Sequence, residues 1–193
     1  MTYNILAIHG AFSTPLIFGF LKRELNQFNW KFVDYPAHPE NIQEVLNRAI
    51  AFDPGLKTYH VVGHSMGGLV ALSLSNLPWV KSITTIATPL GGIDLNPLQR
   101  WLNRSQFLNE ITGNSKLVKR LQSQQYPQPI QHIVTTKGFN PWLWEDNDGV
   151  VTLRSQRHWC AGAVIEVSTN HSEAMMHTTT AQILRDFWTL DTK

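Results

Sequence analysis

Thr58-Tyr59-His60-Val61-Val62-Gly63-His64-Ser65-Met66-Gly67-Gly68-Leu69-Val70-Ala71-Leu72-Ser73-Leu74 is the stretch that decides the fold. Its first five residues are apolar and β-branched, the pattern of a buried strand. Its last six are almost wholly apolar and predict a buried helix. Between them Gly63 and Gly67 flank Ser65 at two residues on either side. A Cβ at either glycine would strike the strand or the helix, so the pattern permits a strand to turn directly into a helix. Such a turn presents a serine hydroxyl at the carboxyl end of the strand, beside the amino end of the helix. Alone, it fits a glycine-rich strand-to-helix turn as well as a reactive centre. The other loops must supply the difference.

Upstream, Ile5-Leu6-Ala7-Ile8 ends in His9-Gly10 and predicts a strand buried on both faces. Ser13-Thr14-Pro15 offers a cap and a first-turn proline to a helix with Ile17, Leu21, Leu25 and Phe28 as its stripe. Residues 30–35 predict a second strand, and Ile42, Val45, Leu46, Ala49 and Ile50 follow helical spacing. Downstream, strands are expected over 82–87, 130–135 and 163–168, and a final helix over 178–190 with Ile183, Leu184, Phe187 and Trp188 buried. This alternation predicts an α/β fold: one domain over 1–193, three layers (α/β/α), with a mostly parallel sheet of about six strands. Residues 90–129 contain no strand pattern. Helices are expected near Asn96-Pro97, with Leu98, Trp101 and Leu102, and near Leu117, Val118 and Leu121, one covering the sheet and the rest forming a short helical cap. In parallel sheets the ligand sits outside the carboxyl ends of the strands, so Gly10, Ser65 and Thr88 share one rim.

Composition narrows the function. The 193 residues are 42% hydrophobic and 16% charged, as in a globular chain. A net charge of +2, with no stretch concentrating Lys and Arg, gives no support to nucleic-acid or anionic-membrane binding. Cys160 is the single cysteine, which excludes an internal disulfide and a thiolate cluster and predicts a small buried hydrophobe. No apolar run is long enough to span a bilayer, and Met1-Thr2-Tyr3-Asn4 lacks a basic region, so a cytoplasmic location is expected.

A serine hydroxyl attacks at neutral pH only if a base takes its proton, and the base needs a third group to hold its tautomer. On such a sheet the partners follow in the order serine, acid, histidine. Ser65, Asp148 and His171 occupy that order, Asp148 after the penultimate strand and His171 after the last. His177 is the main rival base. His9, His60 and His132 are expected in the core, His38 and His158 at the surface, and His64 pointing away from Ser65. Asp146 and Asp94 stand behind Asp148 as alternative acids. Backbone N–H donors for an oxyanion are expected from Met66 and Ala11, with Phe12 next. The acidic loop 145–148 matches no EF-hand spacing, so neither metal nor cofactor is expected.

Together His9-Gly10, Gly63-His64-Ser65-Met66-Gly67-Gly68, Thr88-Pro89-Leu90-Gly91-Gly92, Asn147-Asp148-Gly149-Val150-Val151 and Asn170-His171-Ser172-Glu173 resemble the α/β-hydrolase superfamily, in particular small bacterial lipases and esterases. The resemblance spans residues 4–190. It implies a trimmed sheet that begins at the strand leading into the oxyanion loop, with six strands in family order 4-3-5-6-7-8. It also implies a serine carboxylesterase acting through an acyl-enzyme on a small soluble or membrane-derived acyl ester or thioester. A thioesterase or amidase with the same triad, and a non-catalytic binding protein of this fold, are the alternatives. Trp101, Phe107, Leu108, Trp142 and Trp144 are candidates both for an apolar acyl pocket and for ordinary core packing.

Overall fold

The computed structural model describes residues 3–93 and 106–190. Strands β1 (Asn4–Ile8), β2 (Asn29–Phe32), β3 (Tyr59–His64), β4 (Val80–Ile86), β5 (Ile130–Thr135) and β6 (Ala163–Val167) form one six-stranded sheet in the order β2-β1-β3-β4-β5-β6. Every pairing is parallel, which completes the α/β architecture expected from the alternation. The helices are α1 (Gly19–Glu24), α2 (Ile42–Ile50), α3 (Met66–Ser73), α4 (Gln106–Glu110), α5 (Lys116–Ser123), α6 (Leu153–Gln156) and α7 (Thr178–Thr189).

Adjacent strands β1 and β3 feed two cores. Successive side chains of a strand point to opposite faces, so Leu6, Ile8 and Val61 enter one core while Ile5, Ala7 and Val62 enter the other. The first core receives the stripes of α2 (Ile42, Val45, Leu46, Ala49) and α5 (Leu117, Val118, Leu121), together with α3. Helix α3 is buried from Met66 to Leu72, as a helix apolar on all sides must be. The second core holds Leu21 of α1 with Leu184 and Trp188 of α7, and Trp188 meets Phe28 edge-on at 5.4 Å.

Local differences from expectation have physical causes. Residues Pro15–Phe18 form a 3-10 turn, and Thr14 makes no side-chain cap bond. The tighter turn rotates the stripe, so Phe18 is fully buried while Ile17 only packs against the core edge. Ile50 follows Ala49 by one residue, about 100° around α2, and is 53% exposed. In α7 the Leu184–Trp188 row faces the core, leaving Ile183 and Phe187 partly covered. After β4, Ile93 bridges to Thr112, and Phe107 and Ile111 of the α4 region are buried. Helix α5 packs as an ordinary crossover helix. The helix expected near Asn96-Pro97, with Trp101, and the alternative acid Asp94 lie outside the described residues.

Candidate active site

Ser65 sits at the turn between β3 and α3 with φ 54° and ψ −127°. Side chains rarely adopt positive φ, and a non-glycine residue holds it only where neighbours fix the backbone. Here the Ser65 N–H continues the ladder by donating to Ile86 O at 2.8 Å. A Cβ on Gly63 would strike the backbone of Gly67 and Gly68, and one on Gly67 would strike the carbonyls of Ile8 and His9. The two glycines therefore let α3 lie directly against β1 and β3. Ala87, directly after β4, and Phe12, in the loop after β1, share the positive φ.

Asp148 is completely buried, and its carboxylate accepts five hydrogen bonds. Oδ1 takes the N–H groups of Val150 (2.9 Å) and Val151 (2.7 Å). Oδ2 takes Thr135 Oγ1 (2.6 Å), His171 Nδ1 (2.8 Å) and Gln156 Nε2 (3.0 Å). Burial works to raise this carboxyl's pKa, but the His171 hydrogen bond and charge, with the bonds from Thr135 and Val151, outweigh it and hold the pKa below its usual value. Because the carboxylate only accepts, Nδ1 of His171 carries hydrogen and Nε2 is left as the basic nitrogen. The two loops are built alike. Asn147 Oδ1 accepts from Gly149 N–H (2.9 Å) just before the acid turns inward, and Asn170 Oδ1 accepts from Ser172 N–H (3.2 Å) around the histidine. His171 N–H donates to Asp148 O (3.0 Å), tying the loops together.

His64 lies against His171, their ring centres 4.9 Å apart. Burial, then the neighbouring His171, push its pKa down to about 3, so it is neutral, and its Nε2–H donates to His171 O at 3.0 Å. The elbow histidine thus anchors the histidine loop.

Ser65 and His171 line one cavity of about 420 Å³ with Ala11, Met66, His64 and Ser172. Its other walls are mostly apolar, from Phe12, Ile17, Pro89, Ile93, Leu108, Ile111, Leu143, Val150 and Val151, with Ser13 and Asn140 as polar, uncharged members. Among the described residues no Lys, Arg, Asp or Glu lines it. Met66 opens α3, so its N–H has no carbonyl one turn earlier in the helix. Phe12 N–H donates to Ala37 O at 2.7 Å and is spent, whereas Ala11 remains on the cavity wall.

The remaining candidates go elsewhere. Asp146 is exposed, two residues from Asp148 along a loop that turns only Asp148 inward. His177 caps α7, its Nδ1 accepting from Thr179 N–H. His9, His60 and His132 are buried in or beside the sheet, and His38 and His158 are exposed. Cys160 is half-buried, and burial raises its thiol pKa. Phe107 is core and Leu108 reaches the cavity, whereas Trp142 (64%) and Trp144 (95%) are exposed. Sequence reasoning missed Thr135 and Gln156, for neither belongs to a motif.

Among the described residues no His, Cys, Asp and Glu cluster is arranged to hold a metal ion, and no helix is long and apolar enough to cross a membrane. The model of a family described as the alpha/beta hydrolase family matches residues 5–185. No curated protein matches the chain by sequence. Among solved structures, the mature Bacillus licheniformis lipase BlEst2 is similar at TM-score 0.73 and 14% identity, over 97% of this chain and 92% of that one. A lipase-esterase related protein from Clostridium acetobutylicum gives 0.68 and 16%, over 96% and 94%. The Vlm2 thioesterase domain gives 0.61 and 19%, over 96% and 91%. At such identities the likeness is one of fold.

Proposed function

The chain belongs to the α/β-hydrolase family, and from that premise we propose that it is a serine hydrolase cleaving an uncharged acyl ester. The observation that carries this reading is the buried Asp148 carboxylate bonded to His171 Nδ1, with His171 and Ser65 on one mostly apolar cavity.

Ser65 Oγ attacks the ester carbonyl carbon while its proton passes to His171 Nε2. Asp148 stabilises the resulting imidazolium and fixes the ring. The carbonyl oxygen, now negative, takes hydrogen bonds from the Met66 and Ala11 N–H groups. Collapse of this intermediate breaks the bond to the alcohol oxygen, which leaves with the proton from His171. Water then attacks the acyl-Ser65 carbonyl, giving its proton to His171, and the second collapse returns that proton to Ser65 and releases the acid. The mostly apolar, uncharged cavity suits the acyl chain. Ile93, Leu108 and Ile111 contribute to its wall and belong to the cap of this reading.

Hydrolysis of p-nitrophenyl esters of increasing acyl length tests it. Turnover is expected to rise with chain length until the cavity is filled, and to be lost in Ser65→Ala. A succinyl ester, carrying a free carboxylate, is expected to be a poor substrate. Absence of turnover on every ester, or turnover undiminished in Ser65→Ala, contradicts the reading.

A further inference from the structure

Gln156 is buried, and its position explains only part of its bonding. Strand β4 ends at Ile86, and Ala87 N–H donates to Ile133 O (2.9 Å). Thr135 is two residues further along β5 and turns its N–H and C=O to the same side, where β4 no longer runs. The Gln156 carboxamide fills that place. Its Oε1 accepts from Thr135 N–H (3.0 Å), and its Nε2 donates to Thr135 O (3.2 Å), as a neighbouring strand would. These two bonds orient the amide, since a flipped group would set oxygen against oxygen. The same Nε2 reaches Asp148 Oδ2 (3.0 Å), a contact that completing the ladder does not require. Thr135 Oγ1 has one proton and lies 2.6 Å from Oδ2 but 3.2 Å from Gln156 Oε1, so the carboxylate takes it.

We propose that Thr135 and Gln156 are positioning residues that hold Asp148 Oδ2 in line with His171 Nδ1 and share its negative charge, setting how much of that charge faces the ring. The proposal rests on the reading of Ser65, His171 and Asp148 as a triad. Each additional donor to Oδ2 leaves less charge to stabilise the imidazolium. Removing a donor leaves more of the charge on Oδ2 facing the ring, and the pH dependence of the serine's reactivity reads that change. The other titratable groups around the pair are not placed to do this. His64 packs on His171 with His9 nearby, and burial lowers the pKa of both. Asp146 and Lys137, on the flanking loops, are exposed. Arg154 and Arg157 of the α6 region pair with Glu145 and Glu166, and Glu173 accepts from Asn170 N–H.

The test is the second-order rate of labelling by a fluorophosphonate probe as a function of pH, which needs no knowledge of the substrate. The variants are Thr135→Val, which keeps shape and loses the hydroxyl, Thr135→Ser, which keeps the hydroxyl, and Gln156→Met. The acidic limb of the profile is expected to move up by about half a unit to one unit in Thr135→Val and Gln156→Met, and to stay in place in Thr135→Ser. A rate lowered by the same factor at every pH, or a limb that moves down, overturns the proposal. If Gln156→Met fails to fold, the Thr135 pair decides. Asp148→Asn is measured alongside. Wild-type labelling in that variant means the triad reading itself has failed, whereas slowed labelling with unmoved limbs in the other variants defeats only this proposal.

Discussion

Asp148 concentrates more hydrogen bonds than any other side chain at the site, and its replacement by asparagine is the sharpest single-residue prediction. The amide fits the same space, but it cannot accept at every contact the carboxylate fills, and it favours the wrong His171 tautomer. Asp148→Asn is expected to lower kcat on an aryl ester by about a thousand- to ten-thousand-fold. Asp146→Asn, at an exposed position, is expected to change it by less than about two-fold. The reverse ranking would remove Asp148 from the account. The sequence left a two-residue ambiguity here because both aspartates lie in one polar loop. The turn made by Asn147, Gly149 and Val151 resolves it by aiming Asp148 inward. Thr135 and Gln156 were illegible for a different reason. They are ordinary polar residues 21 positions apart, and only the end of β4 beside them gives the glutamine side chain a backbone to bind.

The elbow is the element whose chemistry was most readable, because a missing Cβ is a statement about contact distance. Gly67→Ala would drive a methyl group into the β1 carbonyls, which cannot turn aside as a side chain would. Gly149, with φ 98° and open space around it, would meet only the cost of its backbone conformation. Urea unfolding is therefore expected to show a loss of about 3 kcal/mol or more, or no folded protein, for Gly67→Ala, against about 1–2 kcal/mol for Gly149→Ala. Equal losses would mean that the tight packing of α3 against β1 does not matter energetically. Less readable was the first helix, where Pro15 begins a 3-10 turn and Phe18 rather than Ile17 becomes core. Proline and a preceding threonine suit either helix type, and tertiary packing made the choice.

Over the whole molecule, buried histidines couple folding to pH. Burial pushes the pKa of His64 down to about 3 and of His132 to about 4, and lowers that of His9, against 6.5 in the unfolded chain. Above 6.5 these groups are neutral in both states and leave stability unchanged. As pH falls below that value the unfolded chain binds protons that the folded chain refuses, so stability drops by up to about 1.4 kcal/mol per pH unit for His64 and for His132, with His9 acting in the same direction. Asp148 adds to the loss at lower pH, since its pKa is held below 3.8 and its stabilisation disappears as pH falls through the folded value. Urea midpoints are expected to fall steeply between about pH 6.5 and about pH 5, before most carboxylates titrate. A flat profile there would contradict the buried, neutral state of these histidines. Strand positions were legible from apolar runs, whereas the order β2-β1-β3-β4-β5-β6 was implied only by the resemblance, since hydrophobic pattern does not say which strands are neighbours. The central claim, that Ser65 is an activated nucleophile, is tested most directly by incubating the folded protein with a fluorophosphonate probe and measuring its intact mass. One adduct is predicted, located on the peptide carrying Ser65, slowed in Asp148→Asn and absent from Ser65→Ala; no adduct on the wild-type protein, or one that persists in Ser65→Ala, would contradict it.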